Sequence, residues 1–251
     1  MCAQGQTVYS PGCFRNAMKY LFTFEKGEPV RWLGHLDLLR TFERAVRRSG
    51  LPVAFSSGYN PRERLSFASA LGVGVTGSCE LALLELSEAV EPSHMVEALN
   101  SVLPPGIRVL NAELCLDDTT RNPWKRYVCS EFILTCSRPE GAGPSILKEA
   151  IERLLSRTRV EVTTGAENGT RTRDIRRFLI WMRPVEITGD TIRLSVGVAL
   201  GQEGSARPAE IVAALAQELE GLTLRRAHRA AILTEEECAK RSVGNNVRSP
   251  V

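Results

Sequence analysis

The feature that most constrains the fold is a succession of strand and helix patterns that occurs twice along the chain. In the first half, Tyr20, Phe22 and Phe24 occupy alternate positions, as in a half-buried strand. An apolar stripe at helical spacing follows, formed by Leu36, Leu39, Phe42 and Val46. The later patterns predict a short strand at 52–55, a longer strand at 80–86, a helix that opens at Pro92 and a strand at 107–114.

The second half repeats this order. Its patterns predict strands at 127–136, 160–163, 178–187, 191–198 and 224–233, helices around 146–154 and 211–219, and a flexible loop at 165–172. Because β-α-β-β-α-β is the order of a ferredoxin-like fold, we predict an α+β protein with two tandem ferredoxin-like halves, at 18–116 and 124–234. Residues 1–17 are interpreted as a disordered or mis-started extension before Met18, and residues 235–251 as a flexible tail.

Composition and motif content predict where the protein works and what it lacks. No apolar run approaches the roughly 20 residues that a membrane helix needs, and the N-terminal segment does not resemble a signal peptide, which predicts a cytoplasmic protein. The seven cysteines form no C-x-x-C pair, and they are interpreted as reduced thiols. The chain also lacks C-x-x-x-C-x-x-C and the glycine-rich phosphate motifs. We therefore predict no cofactor and no bound metal.

Positive charge is concentrated in two segments. Residues 31–64 hold seven arginines against three carboxylates, and residues 171–183 hold five arginines against one, so each segment has a net charge of +4. The whole chain has a net charge of +3, so the remainder is acidic. Segregated positive charge is typical of proteins with an anionic partner such as nucleic acid. The alternative is a set of solvated arginines, since arginine is far more frequent than lysine throughout this chain.

The first basic segment combines an arginine-rich helix with a turn-rich loop. Helical spacing places Arg40, Arg44 and Arg47 on neighbouring turns, and the loop that follows contains Tyr59 and Arg62. An aromatic ring beside arginines can stack on a base while the guanidinium groups hold phosphates. The alternative is a solvated helix face beside an ordinary turn, with Tyr59 packed locally.

The same segment resembles a known family. The run Arg31-Trp32-Leu33-Gly34-His35-Leu36-Asp37-Leu38, the arginine-rich helix, Leu51-Pro52, Ser57-Gly58-Tyr59-Asn60-Pro61 and Ser66-Phe67-Ala68 resemble the radical SAM-linked family, also called the DUF2344 domain. The resemblance implies a radical SAM protein, encoded nearby, as partner. It points to these positions: His35, Leu36, Asp37, Arg44, Gly58, Asn60, Pro61, Ser66 and the second-half triplet Asp174-Ile175-Arg176. Arg62-Glu63 replaces the family's His-Pro, which argues against a histidine-dependent role for that loop.

We therefore predict a non-catalytic accessory protein that works with a radical SAM enzyme and binds or presents an anionic substrate such as RNA. One alternative is an autonomous RNA-modifying or RNA-processing enzyme, because Arg171-Thr172-Arg173-Asp174 faintly resembles the R-T-D of pseudouridine synthases. Another is a purely structural assembly protein. No catalytic residue is predicted. The candidate binding residues are His35, Asp37, Arg40, Arg44, Arg47, Tyr59, Asn60, Arg62, Ser66, Arg173, Asp174 and Arg176.

Overall fold

A computed structural model describes residues 17–115, 123–166, 169–201 and 204–243. The first half contains β1 (Met18–Lys26), α1 (His35–Arg48), β2 (Leu65–Phe67), β3 (Val75–Leu86), α2 (Pro92–Asn100) and β4 (Ile107–Leu114). The second half contains β5 (Tyr127–Ser137), α3 (Pro144–Ser156), β6 (Glu161–Ala166), β7 (Gly169–Asp174), β8 (Leu179–Thr188), β9 (Thr191–Ala199), α4 (Pro208–Ala216), β10 (Leu224–Thr234) and α5 (Glu235–Val243). None of the described helices has the length and apolar composition needed to cross a membrane.

The two halves share one mainly antiparallel, eight-stranded sheet. Its order is β4-β1-β3-β10-β5-β9-β8, and β2 pairs with β3 beside this path. The first half contributes β1 to β4, and the second half contributes β5, β8, β9 and β10. If the strands of each half are counted in chain order, both halves have the spatial order fourth, first, third, second. The halves meet where β3 and β10 pair in parallel, from Val75 opposite Ala227 to Gly77 opposite Arg229. This junction brings side chains from distant parts of the chain together at the centre of the sheet.

Separate apolar clusters hold the helices of each half against the sheet. In the first half, Phe22 and Phe24 of β1 pack with Phe42 of α1, which is fully buried. Asp37 in the first turn of α1 and two arginines in its last turn complement the helix dipole. In the second half, residues of β5, β8 and β9 pack with α3 and α4. Each helix thus contributes one apolar stripe to its own half.

The predicted apolar stripe of α1 was partly wrong. Phe42 and Val46 are buried as predicted, but Leu36 is 64% exposed and Leu39 is only half-buried. The remaining buried positions of the helix are Leu38 and Ala45. Both stripes have helical spacing and share Phe42 and Val46, so the periodicity alone could not choose between them. Tertiary packing decides which of the two stripes is buried, because only one side of α1 faces the sheet.

The predicted loop at 165–172 was also wrong for its described residues, because 165–166 lie in β6 and 169–172 lie in β7, two strands that pair with Glu161 opposite Asp174. Its glycines suggested a loop, but β-branched threonines such as Thr163 and Thr172 lie directly opposite each other and favour strand conformation. The predicted strand at 52–55 forms only isolated bridges, from Val53 to Leu86 and from Phe55 to Glu63.

The predicted tail at 235–251 begins with a helix, α5. Thr234 and Glu237 form a capping box, in which the Thr234 amide donates to the Glu237 carboxylate at 2.9 Å and the Glu237 amide donates to Thr234 Oγ1 at 3.4 Å. Cys238 of α5 is buried against Cys129 and Trp181. Capping and burial together explain why this polar sequence is helical. The predictions for residues 1–16, for the boundary at 117–122 and for 244–251 lie outside the described residues.

Candidate functional site

A cleft of about 1300 Å³ lies between the two halves. The first half contributes His35, at the start of α1, and the connection 68–74 between β2 and β3. The second half contributes the segment before β5, the connection between β9 and α4, and the start of β10. The cleft therefore exists only because the β3–β10 pairing joins the halves. Its size exceeds that of an ordinary small-molecule pocket, which is about 300–1,000 Å³.

The lining of the cleft carries charge of one sign. Among the described residues it contains six cationic side chains and no carboxylate: Lys125, Arg173, Arg207, Arg225, Arg226 and Arg229. Four of the five arginines reach carboxylates that lie outside the lining: Arg229 pairs with Glu80, and the distances are 3.7 Å from Arg173 to Glu210, 2.7 Å from Arg225 to Asp190 and 3.8 Å from Arg226 to Glu28. Lys125 and Arg207 are exposed, and within the described chain no ion pair joins either to a carboxylate. They provide the positive charge that is most available to a ligand.

Arg229 is the structural cation of the cleft floor. The residue is 1% exposed, and its five N–H groups all have acceptors. Two groups meet the Glu80 carboxylate, with Nε at 2.8 Å, and the others reach Ser69 Oγ, Ser69 O and Ala70 O at 3.1–3.3 Å. The Glu80 carboxyl occupies the space that a β-carbon at Gly77 would need. Arg229 therefore fixes the 68–74 connection to the sheet and leaves the floor electrically neutral.

Lys26 also holds the 68–74 connection in place. It is fully buried, and its ammonium group donates to the carbonyl oxygens of Arg31, Leu33 and Gly72 at 2.7–3.4 Å. Burial lowers the pKa of Lys26 to about 8, against the opposing influence of the Glu80 carboxylate. The approach to α1 and the 68–74 connection are thus held together by one buried cation.

Aromatic rings stand beside the exposed cations. Trp124 and Tyr127 both line the cleft, with ring centroids 6.3 Å apart, and Lys125 lies between them in sequence. They belong to the 3₁₀ turn Pro123–Arg126 and the first residue of β5. On the wall from the first half, the ring of His35 packs edge-on against Phe67 at 5.8 Å. The cleft can therefore offer ring faces as well as charge.

Two of the sequence-predicted candidates, His35 and Arg173, line the cleft, one from each half. The guanidinium of Arg173 lies 4.6 Å from the Phe178 ring centroid and 3.7 Å from Glu210, whose carboxylate also caps the start of α4. A β-carbon at Gly204, whose φ is +104°, would approach Arg173 Nη2 to 3.0 Å. These contacts hold Arg173 in place at the edge of the cleft.

Seven other candidates lie outside the cleft lining, on α1 and the connection that follows it: Asp37, Arg40, Arg44, Arg47, Tyr59, Asn60 and Arg62. Arg40 lies 3.6 Å from Asp37, and Arg47 makes a two-pronged contact with buried Glu63, which lowers the pKa of that carboxyl. Tyr59 is 99% exposed. We call Arg40, Arg44, Tyr59 and Arg62 the α1 surface. Ser66 is exposed on β2 and also lies outside the lining.

Asp174 and Arg176 have backbone partners. Asp174 Oδ1 accepts hydrogen bonds from the amides of Val160 and Arg176 at 2.9 and 3.0 Å, and these bonds lower its pKa. The Arg176 guanidinium donates to carbonyl oxygens of Leu155, Arg157 and Leu179 at 2.7–3.1 Å. This pair therefore joins the end of α3 to the strands β7 and β8, which is a structural role.

Replacing Asp174 with alanine will lower the free energy of unfolding by about 1–2 kcal/mol, as for other capping side chains. Because the folded pKa of Asp174 lies below the ordinary value of 3.8, its contribution is complete above about pH 4 and is lost as the pH falls through the folded value. The difference between parent and variant will therefore shrink in acid. Urea unfolding at pH 7 and pH 3 measures both effects, with Glu88→Ala, which removes an exposed carboxylate of the first half, as control. Equal stability of parent and Asp174→Ala at pH 7 would contradict this role.

Most of the cleft cations were missed at the sequence level. Lys125 lies outside the two basic segments, and Arg207 stands between Glu203 and Glu210, so the segregation of charge along the sequence indicated neither residue. One usable signal was the run Leu224-Arg225-Arg226-Ala227-His228-Arg229, because basic residues are uncommon in a strand whose neighbours are apolar. That run now provides three of the six lining cations.

Comparisons with known proteins give the family of the chain. An H/ACA ribonucleoprotein bound to a substrate RNA that contains 2′-deoxyuridine and a Cbf5-Nop10-Gar1 complex each contain a chain with 10% identity, at TM-scores of 0.47 and 0.46. Each match covers 85% of this chain but only 47% and 48% of the solved chains, so this chain spans about half their length. No curated protein matches. A family model matches residues 19–208, and the chain therefore belongs to the family described as an uncharacterized protein conserved in bacteria, DUF2344.

Proposed function

We propose that this chain is a cytoplasmic, non-catalytic accessory protein that binds RNA in the cleft between its halves and presents it to a radical SAM protein encoded nearby. The observation that carries the proposal is the one-sided charge of the cleft, with six lining cations and no lining carboxylate among the described residues. We further propose that the two halves are ferredoxin-like repeats, whose sheet order is the same in each. The repeats would then form the two walls of a shared binding site.

Electrostatics supports an extended anion over a small one. The five lining cations other than the fully paired Arg229 come from four separate segments, around Lys125, Arg173, Arg207 and the start of β10. A single phosphate or carboxylate cannot contact all of these segments, whereas successive phosphates of a nucleic acid strand can. Each phosphate neutralised by a lysine or arginine releases bound counterions, which favours association at low salt. The cleft thus suits a chain of phosphates.

The partnership rests on the family resemblance of the segment from Arg31 to Ala68. The radical SAM protein would supply the chemistry, and this chain would hold the substrate. Purification of the tagged full chain from cells that contain the neighbouring radical SAM gene tests this part. Recovery of the radical SAM protein supports the proposal, and its absence under conditions that retain bound RNA would contradict the partnership while leaving RNA binding in place.

Replacing Lys125 and Arg207 together with alanine will weaken RNA binding and flatten its salt dependence. For two lost contacts with a single strand, at about 0.7 per contact, the slope of log K against log salt will fall by about 1.4. The matched control is Arg40→Ala with Arg44→Ala, which removes two charges from the α1 surface. Fluorescence anisotropy at several salt concentrations measures both slopes. A flattened slope in the control pair alone would move the site to the α1 surface, and no RNA binding by the parent would remove the proposal.

An autonomous enzyme of the pseudouridine-synthase kind has less support. This hypothesis was based on the run Arg171-Thr172-Arg173-Asp174. Because the Asp174 carboxylate accepts hydrogen bonds from two backbone amides, it has a structural role that already explains its presence. Modification of cellular RNA by the purified parent, abolished in a folded Asp174→Asn variant, would favour the enzyme over the accessory role.

A further inference from the structure

We infer that the cleft takes single-stranded rather than duplex RNA, with bases directed into the cleft against Trp124 and Tyr127 and phosphates held at its rim. This inference rests on the proposed function and specifies the form of RNA. It arises from three separate features of the lining, which are the apolar interior, the neutral floor and the position of the aromatic rings.

The interior of the cleft is mostly apolar. Leu71, Val75, Phe132, Ala206 and Ala227 all contribute to the lining, and they belong to one apolar core cluster that contains residues of both halves. Such side chains offer nothing to a phosphate. Duplex RNA keeps its base faces stacked inside and presents phosphates and 2′-hydroxyls, so an apolar interior gains nothing from it. Unpaired bases have free apolar faces, which this interior can cover.

The distribution of charge sets the orientation of the strand. The deepest cation, Arg229, has already used all five of its N–H groups on Glu80, Ser69 and Ala70. The floor therefore has no free donor from this arginine for a phosphate. Two exposed lining cations have no carboxylate partner among the described residues. They are Lys125, just before β5, and Arg207, just before α4. Phosphates are consequently favoured at the rim, and the bases face inward.

The aromatic rings are placed for such a strand. Trp124 and Tyr127 both line the cleft and flank Lys125 in sequence. A cation between two rings can meet a phosphate while its neighbours meet bases, which is the arrangement that nonspecific single-strand binders use. Trp32 provides a natural comparison, because it is 66% exposed on the first half and does not line the cleft.

Binding of three ligands to the full chain tests the form of RNA. The ligands are a 12-nucleotide single strand, the duplex of the same sequence and inorganic polyphosphate of similar charge, at one salt concentration. We expect the single strand to bind at least about 10-fold more tightly than the other two, since each stacked base contributes about 1–3 kcal/mol. Equal binding of the duplex or of polyphosphate would overturn the inference and leave the proposed function standing. Failure of every ligand to bind would overturn the proposed function itself.

A tryptophan substitution tests the stacking. Trp124→Ala should weaken single-strand binding by about 5- to 150-fold per stacked base, with an unchanged salt slope, whereas Trp32→Ala should bind like the parent. If Trp124→Ala fails to fold, the Trp32→Phe variant retains Trp124 and the buried Trp181 as fluorophores. The single strand should then quench its emission, and polyphosphate should not. An unchanged affinity in a folded Trp124→Ala variant, or no quenching by the bound strand, would overturn the role of Trp124.

Discussion

Replacing Arg229 with alanine will lower the free energy of unfolding by about 3–5 kcal/mol, the cost of leaving one member of a buried ion pair alone. Glu80 is 2% exposed and would lose its cationic partner inside the sheet junction. Ser69 and Ala70 would lose the donors that hold their connection against the sheet. Urea unfolding at pH 7 measures the change.

The matched control for this prediction removes both charges. Replacing Arg229 with methionine and Glu80 with leucine leaves no unpaired buried charge, and such replacements of buried pairs are often neutral or stabilising. The double variant should therefore regain most of the stability that Arg229→Ala loses. A loss below about 1 kcal/mol in Arg229→Ala would show that water reaches Glu80 and that the floor of the cleft is open.

Replacing Phe42 with alanine will also cost about 3–5 kcal/mol, because it removes a large buried ring from a packed core. Phe42 is fully buried, with ring centroids 4.8 Å from Phe24, 5.5 Å from Phe67 and 5.7 Å from Phe22. Neighbouring rings on β1 and β2 cannot all move to fill the cavity, since each belongs to a paired strand. Thermal or urea unfolding gives the value.

Leu36→Ala on the same helix is the control for Phe42. Leu36 is 64% exposed, so its truncation should change stability by less than about 0.5 kcal/mol. Similar losses in the two variants would mean that α1 presents a different face to the sheet.

Local periodicity predicted the elements of this fold better than their contacts. The alternation of Tyr20, Phe22 and Phe24 predicted β1, because the same residues that define the strand also face the core. The stripe on α1 was misplaced at Leu36, since two overlapping stripes fit a helix equally well. The first part of β6 was predicted as a strand at 160–163, but β7 and α5 were missed. Glycines and charged residues suggested irregular chain there, whereas strand pairing forms β7 and capping and burial of Cys238 form α5.

The candidate site was only partly predictable for a related reason. His35 was identified from the family resemblance, and Arg173 because it stands in a locally basic segment. Lys125 and Arg207 lie outside the two basic segments, and the parallel β3–β10 pairing joins the half that carries them to the first-half wall of the cleft. That pairing links residues about 150 positions apart, as in the contact of Thr76 with His228 at 2.9 Å. No local pattern in a single sequence predicts that two such distant strands pair.

Ultraviolet cross-linking of single-stranded RNA to the full chain, followed by mass spectrometry of the peptides, tests the central claim most directly. If RNA lies in the cleft, cross-links will concentrate in peptides that contain residues 124–127, 204–209 and 224–227, where rings and cations line the cleft. The α1 surface, including fully exposed Tyr59, will carry few. Cross-links confined to residues 40–62, with the cleft peptides unmodified, would contradict RNA binding between the halves.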